Sequence, residues 1–331
     1  MAGSREPAFQ EKQKFMRNSS PSRREITHAA ALASMGLALS PFVPAAAQDK
    51  PQLAPITKPI PSTGERIPVI GTGGNQFGVE TPKELAELQE VLEIMVKLGG
   101  SVVDTARGYG RSEEVLGDLM KRMGNRDRFF ISTKTPIRGV LRAPEIEVQA
   151  SFDRLKVDTI DLMHIHALYG LDHLMPAVIA AKQKGRVRYI GMSTSAEVQY
   201  AAMKEGMRRY PLDFIQVDYS LDNRGAADAM LPLAADRGMA VLVNMPFGGV
   251  RDSAPIFGRV ANRKLPDWAA DIDATSWAQV FLKYIVSHPA VTAAIPGTIQ
   301  VKHLIDNQGA GKGRLPDAAM RREMERYWDA L

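Results

Sequence analysis

The stretch DTARGYGRSEEVLG, residues 104–117, sets a carboxylate, Asp104, directly after the apolar pair Val102-Val103, and a phenol, Tyr109, a short step further on. Later in the chain an ammonium, Lys134, follows FFIST. Two imidazoles, His164 and His166, close DTIDLMHIH, and an amide, Gln216, lies inside FIQVDYS. Each has a plain explanation by itself. Asp104 could cap a turn, Tyr109 could be a rim aromatic, Lys134 could be solvated as most lysines are, and His166 could be a hydrogen-bonded core histidine. Together they are groups able to donate, accept or titrate, each at the end of a β-rich run. A lysine that ends a buried strand needs a partner for its charge, and Asp104 is the available carboxylate.

The elements that must position these groups alternate. β-rich runs fall at 67–70, 101–103, 128–133, 159–165, 187–192, 213–217, 239–243 and 291–295. Helical patterns lie between them at 82–98, 113–123, 143–155, 172–184, 196–208, 226–237 and 276–288. Thr81-Pro82 is a cap followed by proline at the first helical position. Glu113 and Glu114 suit the positive end of a helix dipole, and Lys184-Gly185 and Arg237-Gly238 are basic last turns with glycine stops. Strands alternating with helices imply parallel pairing, and eight such units in roughly 250 residues fit a closed (β/α)₈ barrel. A doubly wound open sheet is the alternative, but no G-x-G-x-x-G fingerprint follows a strand. A barrel gathers its strand ends at one mouth. That would bring together Gly73-Gly74-Asn75, Asp104 with Tyr109, Lys134, His166, Ser193-Thr194, Gln216 with Tyr219, and Asn244.

The 331-residue chain is 45% apolar and 24% charged, as ordinary globular proteins are. Its net charge of +5 sits partly in the amino end. Without residues 1–47, which carry six Lys/Arg and three Asp/Glu, 36 basic residues face 34 acidic ones. No nucleic-acid partner is expected on that balance. Residues 20–48 have a basic front, a short middle of small and apolar residues, and Ala45-Ala46-Ala47 before Gln48, the layout of a cleaved export signal. Ser22-Arg23-Arg24 with Ile26 resembles the twin-arginine type, which implies twin-arginine machinery as a partner and a periplasmic location. The expected division is an export signal over 1–47, unpacked against the rest, then a proline-rich linker entering a short hairpin over 48–62, and a barrel with its tail over 63–331. No run of about 18 apolar residues forms a stable membrane anchor. The absence of cysteine excludes disulfides, thiolate nucleophiles and Cys-ligated metals, and no His/carboxylate cluster has ligand spacing, so no metal is expected.

VVDTARGYGRSEEVLG, ISTKT, DTIDLMHIH, GMSTS, IQVDYS and IPGTIQVKHLIDN, in this order and spacing, resemble the aldo-keto reductases over about residues 60–308. That resemblance implies a TIM-barrel oxidoreductase that reduces aldehydes or ketones with a nicotinamide cofactor. It implies a catalytic tetrad of Asp104, Tyr109, Lys134 and His166, with His164 structural. A free phenol is a reluctant proton donor near neutrality, but a neighbouring ammonium stabilises the phenolate left behind. In those roles Tyr109 protonates the nascent alkoxide, Asp104 holds Lys134, and His166 hydrogen-bonds the substrate oxygen. The resemblance further implies that Ser193 and Gln216 bind the nicotinamide carboxamide, with Thr194 in place of the usual Asn. It implies that Tyr219 stacks on the nicotinamide, that Gly297 and Thr298 form the adenosine-phosphate loop, and that Asn307 reaches the adenine. Gly73, Gly74, Asn75 and His303 complete the cofactor-binding set.

Gly297 and His303 stand where many relatives carry Lys and Arg, so a bidentate grip on a 2′-phosphate is missing. NADP(H) is the expected cofactor, with NAD(H) as the alternative. A small carbonyl compound is the expected substrate, and Phe77, Leu168, Tyr169, Phe247 and Trp268 are candidate apolar walls. An exported enzyme has no soluble nicotinamide supply. The cofactor is therefore expected to travel inside the folded barrel, beneath residues 247–258. Two other readings stand beside the reductase: an exported non-catalytic binding protein on the same barrel, and a metal-dependent lyase or isomerase. An intact tetrad speaks against the first, and the lack of a ligand cluster against the second.

Overall fold

The computed structural model describes residues 53–248 and 255–331. Residues 1–47, expected to be an export signal, residues 48–52 of the expected linker and residues 249–254 of the glycine-rich loop lie outside the described residues. A two-stranded antiparallel hairpin, β1 (Thr57–Pro59) and β2 (Arg66–Pro68), precedes eight parallel strands. These are β3 (Thr72–Gly73), β4 (Val102–Asp104), β5 (Phe130–Lys134), β6 (Ile160–Ile165), β7 (Val187–Ser193), β8 (Phe214–Asp218), β9 (Ala240–Asn244) and β10 (Ala293–Ala294). They pair in chain order. Parallel bridges between Ile70 and Ala294 and between Gly73 and Gly297 join the two ends of the sheet into a ring. The expected (β/α)₈ barrel is the fold.

Alternation along each strand decides what the ring encloses. Val102, Phe130, Leu162, Tyr189, Phe214, Ala240 and Ala293 form an apolar interior cluster, which Ile60 and Ile67 of the hairpin join from below. Two residues further along the same inward face, the buried positions turn polar: Asp104, Ser132, His164 and Gln216. One more step brings Lys134, His166 and Ser193, all buried. The barrel is thus apolar below and polar at the carboxyl ends. A larger apolar layer surrounds the strands, packed under the helices.

Several boundaries differ from the expected ones, for identifiable reasons. The expected strand 67–70 divides, because Pro68 has no N–H for a ladder: Arg66–Pro68 pairs in the hairpin, and the barrel strand proper is Thr72–Gly73. The expected helix 226–237 breaks into Gly225–Ala229 and Leu231–Asp236 around Met230, just before Pro232. The expected helix 196–208 opens as a 3₁₀ turn, Glu197–Gln199, before Tyr200–Arg209. A carboxyl-terminal helix, Ala318–Asp329, capped by Asp317, was not foreseen. By contrast, helix Pro82–Lys97 starts as read, and Thr81 and Glu84 close a full capping box.

Glu113 does more than face a helix dipole. It is fully buried, and its Oε1 accepts from Thr133 Oγ1 at 2.6 Å while Arg154 Nη1 stands 4.0 Å from Oε2. Burial pushes its carboxyl up from 4.5 to about 7 against those partners. Between these values the folded chain keeps a proton that the unfolded chain releases, so stability falls as the pH rises through that window and stays low above it. Glu113→Gln is therefore expected to melt with the parent near pH 4 and to be more stable by about 3 kcal/mol at pH 8, at about 1.4 kcal/mol per unit. Thermal melts at the two pH values check this; equal melts at pH 8 would contradict it.

Candidate active site

The turn after β4 carries Tyr109 over the mouth. Its backbone returns through Tyr109 N–H to Ala106 O at 3.0 Å, and Gly110 takes φ 62°, a left-handed position that glycine occupies without strain. Ser112, at the start of helix Ser112–Met123, donates to Gly74 O at 2.7 Å and lies 2.7 Å from the Thr105 hydroxyl. These bonds fix the turn to the ends of β3 and β4. Tyr109 is half-buried, so its ring faces both the interior and the solvent.

Lys134 ends β5, and only 2% of it is exposed. Its ammonium donates to Asp104 Oδ2 and to Thr105 O at 2.8 Å, and its Nζ lies 5.0 Å from the centre of the Tyr109 ring. Asp104 is itself buried, and its other oxygen accepts from Ser132 Oγ at 2.7 Å. Burial opposes the ammonium most strongly. The Asp104 charge and then Tyr109, with the hydrogen bonds that the ammonium donates to both, outweigh it and raise the lysine above its usual range. Lys134 is charged, and its charge is aimed at the phenol.

His166 stands edge-on to Tyr109, ring centres 5.9 Å apart and planes at 88°. Burial, then the Lys134 ammonium, push its imidazole down to about 3, so it is neutral and has one N–H to donate. His164, one layer deeper, is also pushed to about 3, by burial and then by Lys134. Its ring leans over Gly191 on β7, where a Cβ would stand 2.7 Å from His164 Nδ1. Sequence alone could not have supplied the next feature. Ala167 and Leu168, which follow His166, both take positive φ, 49° and 58°. Non-glycine residues in that region cost about 1–3 kcal/mol each and persist only when their surroundings hold them.

Around the mouth, Gln216 is wholly buried, and neither its Oε1 nor its Nε2 has a partner. Buried amides are ordinarily bonded, so this one has both a donor and an acceptor to offer a ligand. Ser193 Oγ accepts from Ala167 N–H at 3.2 Å. Thr194 Oγ1 donates to Gln199 Oε1 at 2.6 Å. Asn244, at the end of β9, donates from Nδ2 to Thr194 O at 3.0 Å and leaves its buried Oδ1 unpartnered. It stood among the strand-end polar residues in the sequence but outside the expected cofactor set.

Gly73 and Gly297 have another duty. A Cβ on Gly73 would meet Ile295 O at 2.9 Å, and one on Gly297 would meet Asn75 Oδ1 at 2.8 Å, so both glycines permit the seam of the ring. Gly74 N–H donates to Asp104 O at 2.7 Å. Thr298 and Asn307 are buried and His303 is exposed on the turn and helix Val301–Gly309 that follow the seam.

Tyr219 is a correction. It is 1% exposed, with its hydroxyl 3.2 Å from Tyr284 Oη and accepting from Arg321 Nη2 at 2.7 Å. Its ring packs on Tyr284 and His288, in the layer between barrel and helices. Arg321 belongs to the unforeseen carboxyl-terminal helix, and it holds the ring away from the mouth. The cleft that Tyr219 lines, of about 600 Å³ with Arg224, His288 and Glu325, is not the mouth. The buried ion pair under a phenol, and not that cleft, marks the reactive site. Phe77 is also corrected: it is fully buried beneath Gly74 and lines no open wall. A Cβ on Gly108 would meet Ile137 Cγ2 at 3.0 Å and the His166 ring at 3.6 Å, so both flank that glycine. Among the described residues no group of three His, Cys, Asp or Glu could hold a metal ion, and no helix is long and apolar enough to cross a membrane.

A (β/α)₈ barrel whose mouth unites a buried carboxylate–ammonium pair, a phenol and a neutral imidazole defines an oxidoreductase of the carbonyl-reducing kind. The chain belongs to the aldo/keto reductase family, whose description matches residues 69–325. It is 28% identical over 294 residues to aldo-keto reductase str7 of Strobilurus tenacellus, covering 77% of this chain and 85% of that one. It is 25% identical over 300 residues to aldo-keto reductase yakc of Schizosaccharomyces pombe, named with NADP(+), covering 78% and 87%. Its fold matches a crystal structure of an aldo/keto reductase from Klebsiella pneumoniae in complex with NADP and acetate, with TM-score 0.65 and 24% identity over 80% of this chain and 93% of that one.

Proposed function

We propose that the protein reduces an aldehyde or ketone to the alcohol with NADPH, and that Tyr109 delivers the proton. The observation that carries this reading is the fully buried Lys134 ammonium, held by Asp104 beneath the Tyr109 ring. The nicotinamide supplies the hydride. Gln216, Ser193 and Asn244 suit its carboxamide, because Gln216 and Asn244 present buried amide atoms without partners. The segment 297–307 would take the adenosine end. As the carbonyl oxygen gains negative charge, the phenolic proton moves onto it, and the adjacent ammonium stabilises the phenolate. The neutral His166 donates to the same oxygen and orients it. NADPH is favoured over NADH because yakc is named with NADP(+) and the Klebsiella structure holds NADP.

The substrate on this reading is uncharged. Arg107 is tied to Glu147 and Arg224 to Asp329, so neither guanidinium is free to grip a carboxylate. Glu147 is held down at about 2 by Arg142 and then Arg107. The test is absorbance of NADPH, then NADH, with the chain lacking residues 1–47 and a panel of neutral and carboxylated carbonyls. Consumption of NADPH with neutral members supports the reading, and no consumption with any member refutes it.

The same proposal includes export. Ser22-Arg23-Arg24 and Ala45-Ala46-Ala47 support twin-arginine passage to the periplasm with the nucleotide already bound. Arg23→Lys/Arg24→Lys is expected to leave the chain uncleaved in the cytoplasm, as cell fractionation would show. A cleaved periplasmic variant would contradict this, and parent protein arriving without nucleotide, by native mass spectrometry, would contradict the carried cofactor.

A further inference from the structure

We infer that Gln199 is a positioning residue for His166: it clamps the strained turn on which the imidazole is mounted, and it links that turn to the cofactor side of the mouth. The inference rests on the reductase reading for its kinetic consequence, but not for its structural one.

The Gln199 amide is used at both ends. Its Oε1 accepts from Thr194 Oγ1 at 2.6 Å, and its Nε2 donates to Ala167 O at 3.0 Å. This orientation is forced, because a carbonyl oxygen on Ala167 can only accept. Ala167 is held on its other side as well, where its N–H donates to Ser193 Oγ at 3.2 Å. The peptide groups flanking Ala167 are therefore gripped from β7 and from the turn that follows it. Thr194 is anchored in turn by Asn244 Nδ2 on its carbonyl, at 3.0 Å. One hydrogen-bonded chain runs from the end of β9, through the end of β7, to the residue after His166 at the end of β6.

What the chain holds is a conformation the sequence does not favour. Ala167 and Leu168 sit at φ 49° and 58° in succession, where a Cβ is disfavoured. Without an external grip, a non-glycine pair would leave that region, and His166, the residue immediately before it, would rotate with the backbone. His166 is also tied within its own turn, where its carbonyl accepts from Tyr169 N–H at 2.9 Å. Its backbone N–H donates to Thr135 Oγ1 at 3.2 Å, but its buried Nδ1 has no partner. The Gln199–Ala167 bond, with the one from Ala167 N–H to Ser193 Oγ, is the side-chain restraint on the peptide groups that follow His166. It also places the ring's restraint on the residues that frame Ser193 and Asn244, so the two halves of the mouth share one support.

The test compares Gln199→Met, which keeps the length of the side chain but neither donates nor accepts through an amide, with Gln199→Met/Ala167→Gly. Glycine takes positive φ without strain, so the second change should keep the turn in place without the clamp. The expected result is a kcat lowered roughly tenfold to a hundredfold in Gln199→Met, as an imidazole displaced by an ångström costs. The NADPH dissociation constant should stay within about twofold of the parent, and most of the lost kcat should return in the double variant. A substitution that merely loosened the fold would not be rescued by adding glycine. Parent-like kcat in Gln199→Met, or a loss that Ala167→Gly does not repair, overturns the inference. The imidazole NMR signals of His166, recorded without substrate, keep the two claims apart. If the parent reduces no carbonyl but the His166 signals shift in Gln199→Met and return in the double variant, the reductase reading fails and the clamp stands. If the parent is active and the signals never move, the clamp fails alone.

Discussion

Tyr109→Phe is expected to lower kcat by about 10²–10⁴-fold, the range over which a positioned general acid acts, with NADPH binding unchanged. The phenol ring lies over the Lys134 ammonium and stands edge-on to His166. Phenylalanine keeps the ring and its packing on His166, and removes the hydroxyl with its proton and the hydrogen bond it accepts from Lys134. The melting temperature should hold, since the ring is half-buried and its hydroxyl anchors no helix. Steady-state kinetics with a fluorescence titration of NADPH decide it. A variant with near-parental kcat would assign the proton to another group, and one that also lost nucleotide affinity would make Tyr109 a binding residue.

Lys134→Met should do comparable kinetic damage by a different route, and structural damage as well. The substitution removes the charge that stabilises the phenolate and leaves Asp104, 2% exposed, with Ser132 Oγ as its remaining side-chain donor. A buried charge stripped of its partner costs about 3–5 kcal/mol, which denaturant melts would reveal. Lys134→Met/Asp104→Asn should recover much of that stability and none of the rate. Residues that act as a unit are not additive, so Tyr109→Phe/Lys134→Met should be no slower than the worse single variant. Multiplying losses in the double variant would mean that the two groups act separately, and the coupling through the 5.0 Å approach of ammonium to ring would be wrong.

The polar mouth was legible because two periodicities agree. Alternating strands and helices imply parallel pairing, eight such units fit a barrel, and inward positions two apart turn from Phe130 to Ser132 to Lys134 and from Leu162 to His164 to His166 as each strand reaches its carboxyl end. A buried lysine that ends a strand can then be paired with the carboxylate ending the neighbouring one. What stayed hidden depends on distant chain. Tyr219 follows its strand closely enough to turn either way, and the choice is made by Arg321, on a helix whose docking has no local signature. Gln199 and Ala167 carry no motif either, since nothing in an alanine announces a positive φ. Glu113 was read as a helix-dipole acid because its partner, Thr133 Oγ1, lies on a separate strand. Asn244 was visible as a strand-end amide, and only its unpartnered Oδ1 shows that it has a bond to give.

The most direct measurement follows the hydride. NADPH carrying deuterium at the transferable C4 position, mixed with the protein and a neutral aldehyde, should yield an alcohol with deuterium on its carbinol carbon, and none should form with Tyr109→Phe on the same time scale. Alcohol formed without the label, or labelled alcohol formed equally fast without the phenol, would contradict a mouth in which Asp104, Lys134, Tyr109 and His166 work together on a carbonyl.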